Sequence, residues 1–116
     1  MKQFLAVYTG TPSSFESWKA LDEKERNKRE EKGMKAWMDW SVKHAGATVV
    51  QGGPLGKTKR AGLDGISDIK NNLSGYIVVK AESHEAASRM FENHPHFAIF
   101  PGDSVEIMEC LPIPGM

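Results

Sequence analysis

The stretch Gly75-Tyr76-Ile77-Val78-Val79-Lys80-Ala81 (GYIVVKA) decides the fold. It is rich in β-branched and aromatic residues and predicts a strand. Its apolar side chains fall on both alternations, Tyr76 and Val78 against Ile77 and Val79. A strand with one wet face alternates apolar with polar, so this one reads as covered on both sides. Gln3 to Tyr8 (QFLAVY) has the same character, with Leu5 and Val7 opposite Phe4, Ala6 and Tyr8. Ala47 to Gln51 (ATVVQ), closed by Gly52-Gly53-Pro54, and Ser104 to Cys110 (SVEIMEC) read as two further strands.

Helical signals lie between them. Ser13 and Glu16 have capping-box spacing, and Phe15, Trp18 and Leu21 follow at three-residue steps before a break near Leu21. Asp22 to Lys32 holds five charges of each sign, with Asp22–Arg26, Glu25–Arg29 and Glu31–Lys35 at i,i+4; it reads as a solvated helix face. Past Gly33, the residues Met34, Trp37, Met38, Ser41, Val42 and Ala45 form an apolar stripe, with Gly46 as terminator. Ser83 caps a short helix carrying Ala86, Ala87, Met90 and Phe91, which exits at Asn93 because Pro95 forbids continuation. Leu55 to Ser74 has no strong periodicity and predicts a hairpin turning at Gly62 to Gly65.

The order is β-α-β-β-α-β, a ferredoxin-like α+β domain spanning residues 1–116, with a four-stranded antiparallel sheet and helices on one face. The second face then needs a cover. A copy of the same sheet is the simplest one, so the expected assembly is a homodimer.

Composition narrows the function. Fifteen basic residues balance fifteen acidic ones, which is not the footprint of a nucleic-acid binder. Phe4 to Tyr8 is too short an apolar run for a signal or a membrane span, and the single Cys110 reads as an inert buried thiol. The expected compartment is the cytoplasm. Gly56-Lys57-Thr58 resembles the end of a phosphate-binding loop, but Gln51 stands where that loop needs glycine, so no cofactor is expected.

Gly53-Pro54-Leu55, Gly75-Tyr76, Ser83 with Glu85-Ala86-Ala87, His94-Pro95 and Val105-Glu106-Ile107 occur in an order that resembles the YCII-related proteins, a branch of the dimeric α+β barrel group. The likeness runs from about Ala47 to Cys110. It implies a fold and a dimer, and in some members the turnover of small aromatic compounds around a His–Asp pair. The family's usual Asp-Pro-Phe is here His94-Pro95-His96-Phe97, which exchanges an acid for an imidazole.

His94 and His96 are the sharpest chemical signal. An unperturbed imidazole gives or takes a proton near neutrality, and Pro95 restricts where both rings point. His94 is the candidate catalytic residue, and the helix ending at Asn93 should hold it titrating in the physiological range. A zinc site would need a third ligand from His44, His84 or a carboxylate, and no metal is expected. Trp37 reads chiefly as core and Trp40, off the stripe, as the better pocket wall. These two, with His96 and Pro54, are the candidate ligand contacts. The expected activity is cofactor-free acid/base chemistry on a small apolar or aromatic metabolite; the alternative is a non-catalytic binding or accessory homodimer using the same cleft.

Overall fold

The computed structural model describes residues 1–116. Strand β1 (Lys2–Thr9) leads into helix α1 (Pro12–Lys19) and, after a break, α2 (Glu23–Lys43). Strand β2 (Thr48–Pro54) follows, then the hairpin β3 (Thr58–Gly62) and β4 (Gly65–Ile69), then β5 (Leu73–Ala81). Helices α3 (His84–Arg89) and α4 (Pro95–Ala98) precede β6 (Ser104–Glu109). The main sheet is antiparallel with order β2-β5-β1-β6, and β3-β4 forms a separate two-stranded sheet. This is the ferredoxin-like α+β arrangement with a hairpin inserted between the second and third strands of the core.

Alternation places the core. Phe4, Ala6 and Tyr8 of β1 and Ile77, Val79 and Ala81 of β5 pack against Ala87, Phe91, Trp37 and Trp40 on the helical side. Burying side chains such as Phe4 and Val79 stabilises by about 1.5–3 kcal/mol each. The other face carries a row that crosses all four strands: Val50 opposite Val78, Val78 opposite Leu5, and Leu5 opposite Met108. The molecule is a slab 55 × 41 × 19 Å, thin enough for one sheet and one helical layer. Nothing in the chain covers that row.

Several local expectations are corrected. The core-facing stripe of α2 is Gly33, Ala36, Trp37 and Trp40, whereas Met34 and Met38 are 59% and 66% exposed. Gly33 is buried because the Phe100 ring lies where a side chain would be. The Ser13 box does not form. Thr11 is the N-cap residue, and the Ser14 hydroxyl bonds Asp103, whose carboxylate is held below its usual range by Ser14 and Thr11. Gly46 lies in a 3₁₀ turn at negative φ, and Cys110 is exposed, not buried. Of the predicted i,i+4 pairs Glu25–Arg29 forms, while Lys35 pairs with Asp39. Ser83 accepts from the Ala86 amide, and Asn93 takes φ 55°, both as read from sequence.

The hairpin stands away from the body. Leu63 and Ile66 are exposed, and β3 and β4 pair with each other without packing on the main sheet. An isolated two-stranded hairpin is marginal in water. Its amides should therefore exchange at least about 100-fold faster than those of β5, read by mass spectrometry. Equal protection of Thr58–Ile69 and Leu73–Ala81 would show that the arm is packed on something.

Candidate functional site

A cavity of about 490 Å³ opens between α2 and the β2–β5 edge. Its existence follows from two local features. In β2 the register slips between Val50 and Gly53, and Gly52 sits at φ 64° with its α-carbon against the Tyr76 carbonyl. Only glycine can approach another strand so closely in the left-handed region. The slip keeps Gly53 and Pro54 paired with Tyr76 and Gly75, and the side-chain-poor Gly52, Gly53 and Pro54 form one wall. The second feature is α2, whose Met34, Met38 and Ser41 lie one step round the helix from the core-facing residues. Trp37 and Tyr8 form the floor, and His96 and Phe100 close the end.

His96 is held by the backbone. Its Nε2 donates to the Thr9 carbonyl at 2.7 Å, and the Asp103 amide donates to the same oxygen at 2.9 Å. That bond fixes the tautomer, so Nδ1 carries the lone pair. Gly102 packs against the ring; a Cβ there would overlap Nε2 and both neighbouring carbons. Burial lowers the pKa of His96, while the Thr9 carbonyl and Asp103 oppose the shift, and the ring stays neutral near pH 7. Tyr8 lies beside it, ring centroids 5.1 Å apart, with its phenol pushed up by burial. No protein group bonds the Tyr8 hydroxyl or His96 Nδ1. Among buried side-chain nitrogens and oxygens, only His94 Nε2 is both sealed and unpartnered, so these two atoms reach open space.

His94 lies elsewhere. It is 0% exposed, enclosed by Tyr8, Trp37, Trp40 and Phe91, and borders no cavity of this region. Helix α3 ends at Arg89, and His94 caps the next helix, its Nδ1 accepting from the His96 amide at 3.0 Å. The negative helix end expected beside the ring is thus absent. Burial, aided by His96 and His44, lowers its pKa to about 4, well below the expected physiological range. Trp40 is likewise core, its indole N–H donating to the Met90 carbonyl at 2.7 Å. Trp37, His96 and Pro54 meet at the cavity; His94 and Trp40 stand behind it. No three His, Cys, Asp or Glu side chains converge, and His84 Nε2 is engaged with the Ile107 carbonyl.

Tyr8, Ser74, Phe100 and Gly102 went unrecognised in the sequence as site residues. Tyr8 read as strand core, which it also is, and nothing local marks Gly102 as the neighbour of a ring six residues earlier.

No protein-family model matches the chain, and no curated protein matches it either. Among solved structures it is similar to 5-chloro-2-hydroxyhydroquinone dehydrochlorinase (TftG) from Burkholderia phenoliruptrix AC1100, in complex with 2,5-dihydroxybenzoquinone. The TM-score is 0.53 at 19% identity, over 91% of this chain and 90% of that one. The likeness agrees with the α+β architecture described above. No helix of the chain is long and apolar enough to cross a membrane.

Proposed function

We propose that this chain is a YCII-related cytoplasmic homodimer that performs cofactor-free acid/base chemistry on a small apolar or aromatic compound. The observation that carries the reading is that Tyr8 and His96, ring centroids 5.1 Å apart, line one apolar cavity, with the Tyr8 hydroxyl and His96 Nδ1 bonded to no protein group. A neutral imidazole accepts a proton; a phenol that resists ionisation donates a hydrogen bond to the oxygen where negative charge grows. Environments that push two titratable groups apart are a recurrent acid/base arrangement. The catalytic role expected for His94 passes to His96, and His94 becomes a positioning residue that holds the His96 amide. The solved relative's printed activity, on a chlorinated hydroxyhydroquinone, is chemistry of the same substrate class.

A panel of small phenolic and lactone compounds, followed by tryptophan fluorescence, tests this. The response should come from Trp37 and vanish in Trp37→Phe, while Trp40→Phe keeps it. His96→Gln should weaken binding or turnover at least about 10-fold with the fold intact. A response silenced by Trp40→Phe instead, or indifferent to His96→Gln, would place the ligand elsewhere. Saturable binding with no chemical change to any compound would favour the accessory-protein reading.

A further inference from the structure

A second cavity, of about 430 Å³, adjoins the first and shares Ser74, His96 and Phe100 with it. The two differ in character. No charged side chain borders the first. The second is bordered by Thr11, Asn71, Asn72 and one cation, Lys70, and by no acid.

Lys70 is free. The neighbouring Lys59 is engaged with Asp68 at 2.7 Å, and no carboxylate of the chain lies within ion-pair distance of Lys70. Asn71 is held locally, its amide donating to Thr58 and its oxygen accepting from the Leu73 amide. The Asn72 carbonyl accepts from Gly10, which ties the same segment to the end of β1. The start of α1 is not a competing anion seat, because Asp103 already occupies it through Ser14. Asp103 itself does not border the cavity.

His96 stands at the junction, 9% exposed, with Nδ1 unpartnered. We infer that the ligand has two ends: an apolar or aromatic body in the first cavity, and an anionic substituent, a carboxylate or its equivalent, reaching past His96 to Lys70 in the second. This rests on the reading of the first cavity as a small-molecule site and adds the charge of what enters it.

Calorimetric titration with 2-naphthoate and its uncharged isostere 2-naphthamide separates the two ideas. Wild-type protein should bind the acid about five- to ten-fold more tightly than the amide, and added salt should shrink the difference. Lys70→Gln should abolish the preference while leaving the amide's affinity unchanged, and Lys70→Glu should invert it. Lys70 is exposed, so neither substitution threatens the fold. Equal affinity for acid and amide in the wild type, or a preference that survives Lys70→Gln, overturns the anionic end and leaves the cavity reading standing. Binding of neither compound overturns both.

Discussion

In the proposed dimer, Val78→Asp should halve the particle mass in light scattering, from twice the chain's 12.9 kDa to the single chain. Val78 lies in the row Val50–Val78–Leu5–Met108 on the face the helices leave bare. Each such side chain, once covered, contributes about 1.5–3 kcal/mol, and a two-fold interface counts every residue twice. A carboxylate there must be desolvated without a partner, which costs several kcal/mol per copy. The isolated chain should tolerate it, since Val78 is only partly buried and faces away from the helices, and circular dichroism should remain that of the wild type. A wild-type protein that scatters as a monomer at micromolar concentration would remove the dimer. So would a Val78→Asp variant of undiminished mass. The same substitution at Val79 is the contrast: that side chain is fully buried under the helices, and charging it should unfold the domain.

The fold was legible where chemistry is local. GYIVVKA announced a strand apolar on both sides, and the structure puts Ile77 and Val79 under the helices with Val78 on the bare face. The Gly62–Gly65 hairpin, the Ser83 cap and the Asn93 turn were equally readable, because each depends on residues within a few positions. What failed depends on distance in sequence. At the start of α1 the N-cap residue is Thr11, and Ser14 bonds Asp103, 89 residues away, so the Ser13–Glu16 spacing carried a pattern the folded chain does not use. In α2 two neighbouring stripes are both apolar, and periodicity alone favours the one with more methionine and valine. The buried face is instead chosen by Gly33, where Phe100 fits. The different placement of His94 and His96 has a similar origin. The chain turns at Asn93 and starts a new helix at Pro95, so the first imidazole becomes a cap facing inward and the second swings to the Thr9 carbonyl. No spacing rule distinguishes those outcomes.

That inward cap should make the protein acid-sensitive in a defined window. His94 is neutral when folded and titrates near 4, whereas the unfolded chain's imidazole titrates near its ordinary 6.5. Between these values the unfolded state binds the extra proton, so stability is full above about pH 6.5 and falls as pH drops toward 4. The gap corresponds to a loss of up to about 3 kcal/mol, complete once the folded pKa is passed. Burial pushes His96 and His44 the same way, which deepens the fall without moving its upper edge. Urea unfolding at about pH 7 and about pH 5 should show the difference in wild type. His94→Asn keeps an acceptor at the helix cap and removes the ionisable ring, so its stability should depend less on pH even though its lost packing lowers stability at every pH. The slope is therefore the measurement, not the midpoint. If wild type and His94→Asn lose stability equally on acidification, the buried imidazole is not the sensor, and the enclosure of His94 by Trp37 and Trp40 does not exclude water in solution.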